Sequence, residues 1–413
     1  MFLDECRETL RFVKDKEIYP DIYKIEGAST SPEITVLMKN GERKKVLMFS
    51  SNNYLGLAGD ERVKKALVAA AEKYGMGSGG SRLISGNIDV QEKLEEAIAR
   101  FKGYEAAITF STGYMANTGA IPALLNPLKI SAGKVAGGIL RSILNISESA
   151  VFSDELNHAS IVDGCRLSKS KRIIYKHRDL KDLESKLRKY NYKRKFIITD
   201  GVFSMDGDIA PLSGIMKLAE KYNGSVMVDD AHATGVLGDN GIGTSEYFHL
   251  EKKPEIMMGT FTKAFGAVGG FVASSKEVVD YLRVTARSYI FSAPIPPLVA
   301  SGILESLRII EEDRPFEKLK ENINYLMPKL KGAGFNTMET ETQIIPIVIG
   351  NENTTIQVSR ELMDNGVFAP AVMWPAVPKG VGRLRITIMS THSKNDLDYF
   401  LETLQKVKEK YKF

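Results

Sequence analysis

Four short segments hold the residues able to do chemistry. In Met258-Gly259-Thr260-Phe261-Thr262-Lys263-Ala264-Phe265-Gly266 a lysine stands inside an apolar, glycine-bounded stretch. Burial lowers the pKa of an amine there and frees it for a Schiff base; a snorkelling surface lysine is the plainer reading. In Val226-Met227-Val228-Asp229-Asp230-Ala231-His232 an apolar run ends in carboxylates, and His232 follows three residues after Asp229. Ligands gather at the carboxyl ends of strands in open α/β sheets, although Asp229 could equally cap the next helix. In Phe110-Ser111-Thr112-Gly113-Tyr114-Met115-Ala116-Asn117 a strand gives way through Gly113 to a helix start. Free amides and aligned peptide dipoles make such a start a ready phosphate site. Asp154-Glu155-Leu156-Asn157-His158-Ala159-Ser160 places His158 after another apolar run, where a histidine otherwise caps or packs.

Taken jointly, a phosphate cradle, a carboxylate, a histidine and a buried amine at strand ends describe a pyridoxal phosphate (PLP) site. That cofactor needs a lysine for its aldehyde, an anion opposite its ring nitrogen and an anchor for its phosphate.

Those ends must be held by a sheet. Short apolar runs at 106–110, 150–153, 172–175, 196–199, 225–228, 256–258 and 270–273 are continuous rather than alternating. Such runs predict strands covered on both faces, hence a mostly parallel sheet flanked by helices, an α/β fold. Residues 60–74 predict a helix with Val63, Ala66, Leu67, Ala70 and Tyr74 on one face, and Asp89 to Glu92 reads as a capping box. Beyond the proline cluster at 294–297, residues 344–349 are broken by Pro346 and predict an edge strand. Residues 383–389 alternate like a half-buried strand, and 395–412 predict a last helix. The expected organisation is an N-terminal arm (1–50), a large domain (51–295) and a smaller C-terminal α+β domain (296–413). The stretch 130–149, Gly-rich and then apolar, interrupts a helix-to-strand connection.

The net charge of +5 over 413 residues is thin, so a nucleic-acid partner is not expected. Two cysteines, Cys6 and Cys165, cannot build a disulfide framework or a four-thiolate metal site, and no metal ligand set is expected. No apolar run approaches a membrane span, and the start MFLDECRETL lacks a signal-peptide pattern. A cytoplasmic enzyme is the expectation.

The stretches SNNYLG (51–56), GSGGSRLISG (77–86), NHAS (157–160), GVFSMDG (201–207) and DDAHATG (229–235), with the Lys263 segment, resemble the α-oxoamine synthases. These are fold-type I PLP enzymes with a smaller C-terminal α+β domain. The resemblance implies that Lys263 carries the cofactor as a Schiff base and moves the Cα proton, while Asp229 pairs with the ring nitrogen. It implies that His158 stacks on the ring and that Ser204 and His232 bond its oxygen. The phosphate would lie on Gly113, Tyr114, Thr260 and Ser292 of the partner subunit, in a homodimer. Asn52 and Arg385 would bind the amino acid carboxylate, with Arg383 packing or pairing on the surface.

The implied reaction condenses alanine, serine or glycine with an acyl-CoA or an acyl carrier protein thioester, losing CO2 to give an α-amino ketone. The motifs divide between 8-amino-7-oxononanoate synthase and serine palmitoyltransferase. A glycine C-acetyltransferase, or an aminotransferase of the same fold, is the alternative. Met373-Trp374-Pro375-Ala376-Val377 offers no cation, which favours a fatty or medium-chain donor over one ending in a carboxylate.

Overall fold

The computed structural model describes residues 1–15, 22–38, 40–126 and 148–413. The interrupting stretch 130–149 lies outside the described residues as far as 147. Seven strands form the central sheet, in the spatial order Ala106–Phe110, Gly270–Ser274, Ile256–Thr260, Gly224–Asp229, Arg194–Asp200, Ser149–Asp154 and Lys171–Tyr175. The last five pair in parallel. Gly270–Ser274 runs antiparallel to both of its neighbours, so the sheet is mostly but not wholly parallel.

The continuous apolar runs arise because each strand feeds two cores. Ile198, Met227, Met258 and Val272 pack on one side with Ala120, Ile121, Ile161 and Leu282. Their chain neighbours Ile197, Val226, Val228, Met257 and Phe271 join Leu94, Leu183 and Ile215 on the other. Full burial of each large apolar side chain contributes ~1.5–3 kcal/mol. The sheet is thereby fixed from both faces, and its strand ends become rigid mounts.

Two smaller sheets flank it. Lys24–Glu26, Glu33–Leu37 and Arg43–Met48 form an antiparallel set, to which Val367–Phe368 adds in parallel from far along the chain. Ile344–Gly350, Gly382–Thr387 and Ala371–Val372 make the other, with Ile344–Gly350 at its edge, where Pro346 can be tolerated. Gly382–Thr387 departs from the half-buried expectation, since only Arg385 of its six residues is not buried. Arg383 is buried by its ion pair with Asp206, and the Thr387 hydroxyl donates to the Ser51 carbonyl.

Helix starts also differ in detail. Asp60 caps Glu61–Tyr74 by accepting from the Arg62 amide. Asp89 is not a cap: it lies in the first turn of Asp89–Lys102, and Gln91 Oε1 accepts from the Ile88 amide. Asp89 instead pairs with Lys93. Among the described residues no helix is long and apolar enough to cross a membrane.

Candidate active site

A cavity of about 210 Å³ opens at the carboxyl ends of the central strands. Gly113, Tyr114, His158, Ser204, Asp229, His232, Thr260 and Lys263 all line it, so eight sequence-chosen residues from distant segments meet. Each is placed by an element end. Asp229 closes the strand Gly224–Asp229, Thr260 closes Ile256–Thr260, and Gly113 opens the helix Gly113–Leu125.

Asp229 is buried and held from two sides. Asn117 Nδ2 donates to its Oδ2 at 2.7 Å, and the Ala231 amide donates to its Oδ1 at 3.0 Å. At the helix start, Thr112 Oγ1 accepts from the Met115 amide at 3.1 Å. The amides of Gly113 and Tyr114 belong to the first turn, which has no intrahelical acceptors. A Cβ on Gly113 would come within 3.1 Å of both Thr260 Cβ and Oγ1, so glycine leaves the room in this cradle.

Electrostatics separate the titratable groups. Burial brings the Lys263 amine down to about 8, although the Asp229 and Asp200 carboxylates favour its charged form. Burial likewise lowers His158 and holds His232 well below the ordinary histidine range, with Lys263 and Arg385 adding to the effect on His232. Asp200 moves the opposite way: burial first, and then the neighbouring Asp229 charge, push it well above the carboxylate range. Burial thus disfavours the charged form of Lys263, His158, His232 and Asp200 alike.

Asn52 and Arg385 stand together. Arg385 Nη1 and Nη2 each reach Asn52 Oδ1 at 3.4 Å, and Arg385 Nε donates to the Ser204 carbonyl. Arg383 is an internal group rather than a surface one, paired with Asp206. Ser292 is not among the residues lining the cavity of its own chain.

Sequence reasoning missed Asp200, Ser160, Thr112 and Thr262 as lining residues, and the second-rank partners Asn117 and Tyr54. Asp200 carried a usable signal. It ends an apolar strand just as Asp229 does, and the two stand opposite in register. Nearby, His177, Asp206 and Asp208 bring potential ligand atoms within 4.8 Å of one another. Arg178 on Asp208 and Arg383 on Asp206 balance those charges, and His177 bridges Asp154 and Asp208, so the cluster is an ion-pair network.

The donor set fits pyridoxal phosphate: anion-binding amides, a fixed carboxylate and an amine of lowered basicity share one cavity. Residues 44–404 match the family model for aminotransferase class I and II. Relatives include an 8-amino-7-oxononanoate synthase of Lysinibacillus sphaericus, 46% identical over 98% of both chains. Another, of Thermosipho melanesiensis, is 45% identical over 96% of both. Among solved structures, a serine palmitoyltransferase of S. paucimobilis with bound PLP–myriocin superposes with a TM-score of 0.87. It is 30% identical and covers 99% of this chain and 98% of its own. The 8-amino-7-oxononanoate synthase of Francisella tularensis gives 0.73 at 28% identity, over 89% and 98%. The chain belongs to the aminotransferase class I and II family and, within it, to the α-oxoamine synthases, the PLP-dependent acyltransferases of that fold.

Proposed function

We propose that the cavity binds pyridoxal 5'-phosphate and that a homodimer of this chain condenses L-alanine with a pimeloyl thioester, releasing CO2. The observation that carries the chemistry is Lys263 in one cavity with Asp229 and the Gly113 cradle. When bound, PLP takes up the negative charge left at Cα by proton loss and decarboxylation.

The chain's residues do the rest. Lys263, with its amine brought down to about 8, holds the cofactor aldehyde and then moves the Cα proton. Asp229, fixed by Asn117 and the Ala231 amide, keeps the ring nitrogen protonated. His158 packs on the ring, Ser204 and His232 bond its oxygen, and Gly113, Tyr114 and Thr260 hold the phosphate with Ser292 of the partner subunit. Arg385 and Asn52 orient the amino acid carboxylate, which fixes the reacting bonds relative to the ring. A cytoplasmic setting suits two free thiols, Cys6 exposed and Cys165 buried.

The donor follows from the relatives' product. An 8-amino-7-oxononanoate keeps two carbons of alanine after CO2 loss, and a seven-carbon diacid supplies the remainder. The lack of a cation in 373–377 argued for an apolar tail instead. Lys379 Nζ, however, lies 5.1 Å from the Trp374 ring centroid, so a cation does stand beside that stretch.

The test is a matrix of alanine, serine and glycine against acetyl-, succinyl-, pimeloyl- and palmitoyl-CoA, read by thiol release. Alanine with pimeloyl-CoA should give the highest kcat/KM. Glycine with acetyl-CoA as the best pair would replace the substrates and keep the chemistry. Amino-group transfer without thiol release would overturn the acyl-transfer reading.

A further inference from the structure

His158 is both a cavity residue and a helix cap. It precedes the helix Ala159–Ser168, and its ring takes the place usually held by a serine or aspartate side chain. Nδ1 accepts from the Ser160 amide at 3.3 Å, and Ser160 Oγ lies 2.7 Å from the same nitrogen. Ser160 is 1% exposed, so water does not compete on this edge of the ring. The His158 amide is itself tied to Asp200 Oδ2 at 2.8 Å, which fixes the residue at its backbone as well.

The hydrogens along this edge can be counted. A carboxylate only accepts, so Asn117 turns its amide nitrogen to Asp229 Oδ2, at 2.7 Å. The same nitrogen lies 2.9 Å from Ser160 Oγ and gives it the second hydrogen. Ser160 Oγ thus accepts from Asn117, and among the described residues the one acceptor for its own hydrogen is His158 Nδ1. Were Nδ1 protonated instead, the Ser160 amide and hydroxyl would both lose their acceptor in a buried place. Two donors therefore converge on Nδ1, and a neutral ring carries its hydrogen on Nε2. Burial lowers the basicity of the ring, Lys263 adding to the effect and Asp229 opposing it, which favours that neutral form. Nε2 makes no hydrogen bond among the described residues, and the ring lines the cavity.

We propose that Ser160 and Asn117 are positioning residues that hold His158 as its Nε2–H tautomer, so that it presents a donor, not a base, to the acceptor oxygens of a substrate in the cavity. No proton moves along this chain; the assignment is the same before and after a substrate binds. The donor role rests on the reading of the cavity as the PLP site. The tautomer rests on the geometry of Asn117, His158, Ser160 and Asp229 alone. The consequence is a division of labour, in which Lys263 moves the Cα proton and His158 gives a hydrogen bond without taking one up.

The first measurement is the 15N spectrum of holoenzyme labelled at histidine, with His158 assigned among the five histidines by its loss in His158→Gln. Long-range couplings to the ring protons tell the two nitrogens apart. In the unaltered protein Nδ1 should have the shift of an unprotonated nitrogen and Nε2 that of an N–H. Ser160→Ala should draw the two shifts towards one another, and Ser160→Thr, which keeps the hydroxyl, should restore the split. The second measurement compares thiol release in His158→Gln and His158→Leu. A glutamine amide keeps a donor on a side chain of similar length and supplies no base, so its kcat/KM should exceed that of the leucine variant about tenfold, the scale of one hydrogen bond.

An Nδ1–H ring in the unaltered protein would overturn the proposal outright, whether or not any variant folds. Ser160→Ala with a lowered Tm and unmoved shifts would make Ser160 a merely structural residue and overturn its positioning role. Equal activity in the glutamine and leucine variants would remove the donor. If borohydride fixes no PLP on Lys263, the site reading falls, while the shifts of the cofactor-free chain still decide the tautomer.

Discussion

Asn117 donates from Nδ2 to Asp229 Oδ2 at 2.7 Å, which ties the helix that starts at Gly113 to the strand that ends at Asp229. The same nitrogen reaches Ser160 Oγ at 2.9 Å, just beyond His158. One side chain thus registers three of the four segments first picked out for their chemistry. Its Oδ1 has no partner among the described residues, so its polar contacts there pass through that nitrogen.

Removing it should loosen Asp229 without removing its charge. Asn117→Ala should weaken PLP binding about tenfold, because a bond to a charged group is lost in a buried place. Asn117→Asp should be worse, since it sets a second carboxylate against Asp229. Equilibrium binding followed by cofactor absorbance measures both, and wild-type affinity in Asn117→Asp would remove this role.

Lys263 should trap cofactor covalently after borohydride reduction, and Lys263→Ala should not, as read by the mass of the intact chain. Capture of PLP by the apo-protein should also report the amine. Its free fraction rises with pH and levels off above about 8, rather than climbing on towards the ordinary lysine value near 10.5. Capture rates that still rise steeply between pH 9 and 10.5 would contradict the lowered basicity.

His177 gives a stability signature remote from the reaction. Burial alone would push it down, but its hydrogen bonds to Asp154 and Asp208 carry it up to about 9. The folded state thus holds this proton more tightly than the unfolded chain. The resulting stability is fully present below about pH 6.5 and is lost as pH rises through about 9, by no more than ~3 kcal/mol. Thermal melting of His177→Gln should show a lower Tm at pH 6 and a smaller deficit at pH 9.5. A deficit that is constant with pH would mean that packing against Phe203, not charge, is what the histidine supplies.

The central strands were legible because each is covered twice: Ile197 and Ile198 face opposite cores, and such a strand reads as an unbroken apolar run. The N-terminal sheet was not. Lys24–Glu26, Glu33–Leu37 and Arg43–Met48 are short, and their partner Val367–Phe368 lies more than three hundred residues away. No local pattern encodes that pairing. The same limit applied within the site. Lys263, Asp229 and Gly113 announce themselves by residue type at a strand end. Tyr54 reads as one aromatic among many until the fold brings His232 to 2.7 Å from its hydroxyl.

Gly113 offers the sharpest test of the cradle, because the change needed is a single methyl group. The added Cβ would sit 3.1 Å from Thr260 Cβ and Oγ1 and 3.2 Å from Met258 Cε. Gly270 lies close behind it: a Cβ built there would fall 2.6 Å from Gly113 Cα. Thr260 cannot turn away freely either, as its hydroxyl donates to the Gly269 carbonyl at 2.8 Å. The helix start must therefore shift by a few tenths of an ångström and carry the Gly113 and Tyr114 amides with it. Gly113→Ala should raise the Kd for PLP about tenfold, a cost near 1.4 kcal/mol. At saturating cofactor, kcat should stay within about threefold of the unaltered protein, because Lys263, Asp229 and Arg385 are mounted on other elements. A variant that binds PLP normally but loses turnover would place Gly113 in the reaction itself rather than under the phosphate.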